Sequence, residues 1–263
     1  MPESWLLYPL LGALAGSLAG LLGVGGGLII VPVLAWSFVS LEMSSAHIMH
    51  LAIGTSLATI VMTSLASIRA HHRRGAVRWE LFRRLWPAIA IGALVGAAIA
   101  DALQSQWLRR FFGVFELMVA AQMAFGFKPS THRELPGIAG MGVAGGIIGS
   151  VSAIVGIGGG TLTVPFLSWC NVAMREAVAT SAACGLPIAV AGAIGFLLTG
   201  LDAGGLPPYS SGYLYWPALI GIAVTSVLFA PLGAALAHRL PAAGLRRIFA
   251  LLLAGIGLQF LLG

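Results

Sequence analysis

Long apolar stretches, separated by short polar breaks, run along the whole chain. A helix that crosses a bilayer needs about 20 apolar residues, and six of the stretches fit one crossing each. The first and fifth exceed 30 residues, which is too long for one crossing and too short for two crossings joined by a turn. The pattern predicts eight segments, at roughly 6–39, 45–68, 85–102, 107–127, 136–169, 174–200, 213–237 and 244–262.

Both over-long segments carry three consecutive glycines near the middle. The first reads GVGGGLIIVP from 23 to 32, and the second reads GIGGGTLTVP from 156 to 165. Glycine is the poorest helix former after proline, and backbone that leaves helical geometry in a bilayer must be buried in protein or line a wet cavity. We expect the helix to break at each triplet and a second helix to start near Leu28 or Thr161.

The second half of the chain repeats the first. A shift of 133 aligns 23–36 with 156–169. Shorter matches follow in the same order: Thr-Ser with Thr-Ser, LWP with YWP, and LRRFF with LRRIF. These matches predict a duplication of four apolar segments, with repeats at 1–127 and 128–263. Internal repeats of this kind are typical of secondary transporters.

Composition places the segments in a membrane. Hydrophobic residues make up 59% and charged residues 8% of the 263, whereas about a quarter of a soluble domain is charged. The net charge of +6 comes from arginines in short loops, a pattern that orients membrane proteins and does not indicate nucleic-acid binding. We therefore predict an all-α polytopic protein whose partners are the lipid bilayer and a small solute.

Basic residues decide between two arrangements of the repeats. If each segment crosses once, with the loop at 69–84 inside, eight arginines and lysines face the cytoplasm and six face outward. If the first and fifth segments return to the face they entered from, twelve lie inside and only Arg109 and Arg110 lie outside. Because cytoplasmic loops carry the excess of basic residues, we expect inverted repeats, a re-entrant first segment in each, and both termini outside.

A helix that starts at a glycine break inside the membrane offers a site for an anion. Its first N–H groups have no intrahelical acceptor, and the helix dipole makes this end electropositive. We expect two such starts to meet near the midplane, with Thr161 making the second one more polar. The alternative is that the glycines only allow close helix packing. The glycines of the expected site are Gly25, Gly26, Gly27, Gly158, Gly159 and Gly160.

These motifs resemble those of a known family. The paired GxGGG and VP motifs, each followed by a Thr-Ser pair in GTSLA or ATSAA, are similar to those of the TauE/SafE sulfite exporters, also called toluene-sulfonate uptake permeases. The resemblance covers nearly the whole chain. It implies a permease of the bacterial cytoplasmic membrane for small sulfur-containing or related organic anions, such as sulfite, sulfonates, sulfoacetate and thiosulfate. Members differ in substrate and direction, so it implies a class of solute.

Four hydroxyls are the next candidates for contact with the anion. Thr55, Ser56, Thr180 and Ser181 recur as pairs in both repeats, beside the triplets. They are suited to donate to the oxygens of an oxyanion. The alternative is a hydroxyl that bonds to a carbonyl of its own helix, which is common in membranes.

Three ionisable residues complete the candidate set. His50 and Arg175 correspond in the repeat, each five residues before its threonine. They are candidates for attracting the anion from the two faces of the membrane, and the alternative is that they reach for lipid head groups. Glu116 lies within the apolar sequence GVFELMVAAQMAF, where an acid commonly has a function. It is a candidate for carrying a coupling proton, and the alternative is a pair with a basic side chain near the interface.

The sequence lacks the motifs of enzymes that act within membranes. It contains no GxSxG, and HIMH at 47–50 lacks the acid of HExxH. We therefore expect no catalytic residue, no metal ion and no cofactor. An anion channel stays open as an alternative, because re-entrant hairpins also build pores. The prediction is a secondary transporter in the bacterial inner membrane; coupling to protons and a homo-oligomer are compatible with it.

Overall fold

A bundle of helices forms the protein in the computed structural model, which describes residues 3–22, 26–125, 134–237 and 242–263. Within these residues the chain forms ten α-helices and one β-hairpin. In chain order the elements are α1 (Glu3–Leu22), α2 (Gly27–Ser40), α3 (Ile48–Arg73), α4 (Trp79–Asp101), α5 (Ser105–Phe125), α6 (Ile138–Val155), α7 (Gly160–Trp169), α8 (Met174–Thr199), β1 (Ser210–Ser211), β2 (Leu214–Tyr215), α9 (Trp216–Ala237) and α10 (Ala242–Leu262).

The helices confirm the polytopic membrane protein that the apolar pattern predicts. Among the described residues, α3, α4, α6 and α8 are each long and apolar enough to cross a membrane. Of the other helices with 20 or more residues, α1, α9 and α10 carry shorter apolar stretches. Large apolar side chains cover much of the outer surface, as expected of a bundle whose solvent is lipid.

Both over-long segments are interrupted where the glycines lie. Helix α1 ends at Leu22 and α2 begins at Gly27; helix α6 ends at Val155 and α7 begins at Gly160. The second helices thus start one residue before the expected positions. Residues 23–25, and with them Gly25, lie outside the described residues, as does the predicted boundary between the repeats near 127.

Two local differences from the expected pattern stand out. Helix α4 begins at Trp79 rather than near 85, because the basic sequence before the apolar run is itself helical. An ion pair of 2.6 Å between Arg84 and Glu80 lies on this first part of the helix. The second difference is the hairpin of β1 and β2, which pairs Ser210 with Tyr215. Its turn contains Gly212 at φ 53°.

Helices that correspond in the two halves run in opposite directions. Along α3 and α8, Leu57 lies beside Gly192 and Ser64 beside Gly185, so the two helices are antiparallel. Helices α5 and α10 are also antiparallel, because Phe112 contacts Phe260 while Leu117 lies beside Gly257.

Two parallel helix pairs pack through glycines. A Cβ at Gly12 of α1 would lie 2.7 Å from the Cα of Ile222 of α9, and a Cβ at Gly145 of α6 would lie 3.0 Å from the carbonyl oxygen of Leu85 of α4. Gly145 follows Gly12 by 133 residues, and Ile222 follows Leu85 by 137. The α1–α9 and α4–α6 contacts are therefore equivalent contacts of the two halves, built on the same small residues.

The two broken segments each turn back. The rings of Tyr8, near the start of α1, and Phe38, near the end of α2, both contact the ring of Tyr215. We call this end of the bundle the hairpin end. In the second half, α6 begins at the opposite end, because it runs parallel to α4 and α4 begins beside Thr180 of α8. Helix α7 returns to that end, where Ser168 donates to the sulfur of Met174 at the start of α8, 3.9 Å away.

Glycine packing on α6 gives a test of the fold. A Cβ at Gly149 would overlap the carbonyl oxygen of Ile89, whereas none of the described atoms lies within 4 Å of a Cβ at Gly142. We expect Gly149→Ala to destabilise the protein by about 1–3 kcal/mol through overpacking. The matched variant Gly142→Ala should be neutral or slightly stabilising, because alanine favours a helix. Thermal unfolding of both variants in detergent measures the difference, and equal melting temperatures would contradict the α4–α6 contact.

Candidate functional site

The two glycine breaks lie against each other. A Cβ at Gly27 would be 2.5 Å from the carbonyl oxygen of Gly156 and 2.7 Å from the Cα of Ile157. The hydroxyl of Ser56 donates to that same carbonyl oxygen over 2.9 Å. Gly156 has φ 77° and ends α6, a left-handed conformation that glycine adopts without strain.

Within the triplets, the glycines differ in what surrounds them. A Cβ at Gly159 would be 2.7 Å from the carbonyl oxygen of Ser181, so this glycine lets α7 approach α8. Gly158 has room: among the described atoms, the Cγ2 of Ile60 at 3.6 Å is the one neighbour of a Cβ built there. Close packing therefore accounts for Gly27 and Gly159 and leaves Gly158 without a packing reason.

Helices α2 and α7 begin in the same way. Gly26 and Gly159 precede them with φ −67° and −63°, and their carbonyls accept the N–H of Ile30 and of Thr163 over 2.9 Å. The N–H of Ile29 also donates to the carbonyl of Gly26, over 3.0 Å. The first N–H groups of each helix, including that of Gly160, have no acceptor within it. Two electropositive helix starts thus lie close together inside the bundle.

Three buried hydroxyls surround the second break. In the part of the chain that the structure describes, the oxygens of Ser152, Thr161 and Thr163 have no hydrogen-bond partner, and each side chain is at most 6% exposed. A buried hydroxyl without a partner costs free energy. The first break has Leu28 and Ile30 at the positions of Thr161 and Thr163, so the second start is the more polar of the two.

The two threonines of the Thr-Ser pairs accept hydrogen bonds from the opposite half. The N–H of Arg78, just before α4, donates to Thr180 Oγ1 over 3.0 Å. The N–H of Tyr215, just before α9, donates to Thr55 Oγ1 over 3.0 Å. Both threonines are fully buried. These oxygens bind backbone across the interface rather than a carbonyl of their own helix, and Ser181 lies beside Gly159.

His50 and Arg175 each contact the end of a neighbouring helix. The Nε2 of His50 lies 3.0 Å from the carbonyl oxygen of Ala100 and 3.1 Å from that of Leu103, at the end of α4. Arg175 is exposed and donates to the carbonyl oxygen of Arg74, just after α3, over 3.1 Å. Neither position adjoins the glycine breaks.

Glu116 lies apart from the breaks, between α5 and α10. Its side chain is fully buried beside Gly257, and neither carboxyl oxygen has a hydrogen-bond partner among the described residues. The alternative of a pair with a basic side chain near the interface finds no support within those residues, where the two ion pairs are Arg84–Glu80 and Arg78–Glu176.

A cavity of about 900 Å³ opens at the hairpin end, between the starts of α3 and α5 and the ends of α4 and α10. Of the predicted site residues it includes His50, and neither glycine break lines it. Burial raises the pKa of Tyr213 in its wall to about 12, so the phenol stays a donor, here to Asp101 over 3.0 Å. Its polar lining includes His47, His50, Asp101, Arg109, Tyr213 and Gln259, together with Ser45, Gln104, Ser105 and Gln106.

His47 and Arg109 line the cavity although no sequence motif indicated either of them. Arg109 counted only as one of two basic residues on the expected outer side, and His47 only as part of HIMH. A basic residue on the side where few are expected is the signal that could have indicated Arg109.

Comparison with known proteins gives one consistent result. The family model described as sulfite exporter TauE/SafE matches residues 8–260. A probable membrane transporter protein of Haemophilus influenzae is 35% identical over 259 residues, covering 98% of each chain. A probable membrane transporter protein of Methanocaldococcus jannaschii is 28% identical, covering 99% of this chain and 97% of its own. No solved structure matches.

The threonine contacts between the halves give a second test. Thr180→Val keeps the shape of the side chain but leaves the N–H of Arg78 without its acceptor, which we expect to cost about 1–3 kcal/mol. Thr180→Ser keeps the oxygen and should lose less. Melting temperatures of the two variants in the same detergent decide the point. A valine variant as stable as the original protein would show that this bond does not hold the halves together.

Proposed function

The chain belongs to the sulfite exporter TauE/SafE family and is a membrane transporter rather than an enzyme, and from this premise we propose that it carries a small sulfur-containing or related organic anion. Sulfite, sulfonates, sulfoacetate and thiosulfate are the candidate solutes. The anion binds between the glycine breaks, at Gly25, Gly26 and Gly27 and at Gly158, Gly159 and Gly160. The protein is located in the bacterial inner membrane.

The observation that carries this proposal is the meeting of two helix starts beside unpartnered hydroxyls. The Gly27–Gly156 contact brings α2 and α7 together, and Thr161 and Thr163 are buried there without partners in the described chain. N–H groups and hydroxyls donate to oxyanions without adding a fixed charge to the membrane interior. A neutral set of donors also releases its ligand more readily than an arginine pair does.

The proposed topology is an inverted repeat, with the hairpin end outside and both termini there. The opposed directions of α3 and α8 support it, as does the return of α2 toward the start of α1 at Tyr215. With this orientation only Arg109 and Arg110 lie on the outer side, in agreement with the expected distribution of basic residues.

In the proposed mechanism the two halves rock against each other and expose the site to one side at a time. The contacts that would break and re-form are those between the halves, including Ser56 with Gly156 and Thr180 with the N–H of Arg78. Ser56, Thr55, Thr180 and Ser181 thus act at the interface that moves. Of these, Ser56 contacts the second break directly, through the carbonyl oxygen of Gly156.

A transport assay tests the site assignment. Protein in proteoliposomes should give saturable uptake of one or more of sulfite, thiosulfate, sulfoacetate, taurine, sulfate and a carboxylate. Gly158→Val should reduce uptake at least tenfold, because the valine side chain fills the room beside the second break. The variant should still fold. The double variant Thr161→Val, Thr163→Val should weaken uptake through the loss of two donors.

Two controls accompany this assay. Thr225→Val makes the same chemical change at a hydroxyl that bonds within its own helix, to Gly221 over 2.8 Å, and should transport normally. Normal transport by Gly158→Val would remove the breaks from the anion path. Large, non-saturating flux that ignores the proton gradient would instead identify an anion channel.

We propose further that Glu116 carries the proton that drives accumulation. A carboxyl buried in a membrane without a partner is costly to keep unless it serves a function. Glu116→Gln should abolish accumulation driven by a proton gradient and retain exchange of labelled for unlabelled anion, because exchange needs no net proton movement. Uptake with an imposed gradient and counterflow without one are the two measurements. Unchanged gradient-driven accumulation would give Glu116 a structural role only.

A further inference from the structure

A serine of α3 and a glycine of α8 meet beside the second glycine break. A Cβ built at Gly185 would lie 3.3 Å from Oγ of Ser64 and 3.4 Å from the backbone nitrogen of Gly159. Apart from the neighbouring backbone of α8, no other atom of the described residues lies within 4 Å of that point. Since a hydroxyl and a backbone N–H are both hydrogen-bond donors, this face of α8 adjoins two donors and otherwise open space.

Neither donor has a partner in the part of the chain that the structure describes. The hydroxyl of Ser64 forms no hydrogen bond there, although the residue is only 7% exposed. The N–H of Gly159 has no backbone acceptor there either. A hydroxyl in a membrane helix commonly bonds to a carbonyl of its own helix, as that of Thr63 does with Ile60 over 3.2 Å. Ser64, the next residue, leaves its hydroxyl available for a ligand.

Close packing does not explain the missing side chain at Gly185. An alanine there would require its neighbours to shift by a few tenths of an ångström, and the nearer neighbour is the end of a serine side chain, which can rotate. At Gly159 the added Cβ would instead lie 2.7 Å from the backbone carbonyl oxygen of Ser181. Helix packing therefore requires a glycine at 159 and permits a side chain at 185.

The internal repeat places unequal residues on the two sides of the second break. Under the shift of 125 that aligns the two Thr-Ser pairs, Gly185 corresponds to Ile60 and Ser64 corresponds to Ala189. Ile60 is buried, and its Cγ2 lies 3.6 Å from a Cβ built at Gly158. At equivalent positions, α3 thus contributes a branched apolar side chain and α8 contributes none. The free hydroxyl also occurs in one half only.

We propose that Ser64 donates to the bound anion beside the N–H of Gly159, and that Gly185 and Ile60 together set the largest anion that the site accepts. This assignment rests on the proposed function, because it needs an anion at the second break. The oxyanion group binds on the α8 side, since the two donors lie there. The remainder of the solute contacts Ile60, an apolar side chain suited to a short carbon substituent.

Uptake by the full chain in proteoliposomes tests the donor. We expect Ser64→Ala to raise the KM for each transported oxyanion about tenfold, through the loss of one hydrogen bond to a charged group. Its melting temperature should stay that of the original protein, because the hydroxyl has no partner among the described residues. The matched control is Thr63→Val, whose hydroxyl bonds within its own helix and whose KM should be unchanged. Equal KM values for Ser64→Ala and the original protein would overturn the role of Ser64.

Selectivity among solutes tests the two walls. Sulfite, methanesulfonate and sulfoacetate, which increase in size, compete against uptake of the best transported solute, and the ratio of their inhibition constants is the readout. We expect Gly185→Ala to weaken inhibition by the larger anions about tenfold relative to sulfite, because an added methyl group narrows the site. Ile60→Ala should shift the same ratio in the opposite direction. Gly255→Ala, where no described atom lies within 4 Å of a Cβ, should leave it unchanged.

The ratio does not depend on the amount of folded protein, so a loss of stability cannot imitate the effect. Ratios that stay unchanged in both Gly185→Ala and Ile60→Ala would overturn the size limit. If Gly158→Val loses transport while Ser64→Ala and Gly185→Ala behave like the original protein, the assignment of these two residues fails and the proposed function stands. An original protein that transports none of the solutes overturns the proposed function itself.

Discussion

Every backbone N–H and C=O that leaves a helix inside a bilayer must find a partner, because lipid offers none. The second break meets this requirement from within the protein: the carbonyl of Gly156 accepts from Ser56, and the N–H of Ile157 donates to the carbonyl oxygen of Ser152. Beside it, the hydroxyls of Thr161 and Thr163 have no partner among the described residues, and the first N–H groups of α7 have no acceptor within their helix. We propose that a solute completes these groups.

Some glycines of this protein allow helices to pack closely, and another leaves room for a ligand. Without a hydrophobic force between helices in lipid, association rests on contact area and backbone approach. Gly12 and Gly145 provide this for the parallel pairs, and Gly27 and Gly159 provide it for the breaks. Gly158, the first glycine of the second triplet, adjoins free room instead. The two interpretations of the triplets, packing and binding, therefore belong to different glycines of one motif.

Hydropathy predicted the segments well because bilayer thickness constrains helix length, and the triplets marked where α2 and α7 begin. Other features depend on contacts that local patterns do not encode. The acceptors of the N–H groups of Arg78 and Tyr215 lie 102 and 160 residues away. Arg109 and Arg110 are adjacent in sequence, and only the packing of α5 against α10 distinguishes Arg109 at the cavity from Arg110, whose guanidinium lies over the ring of Trp107. The hairpin at 210–215 is too short for a periodic signal.

The crossed bonds of Thr55 and Thr180 make the two halves of the bundle depend on each other. Each half holds the acceptor for an N–H group at the start of a helix in the other half. A fragment that contained one half alone would leave that N–H group without its threonine, at a position that the intact bundle buries.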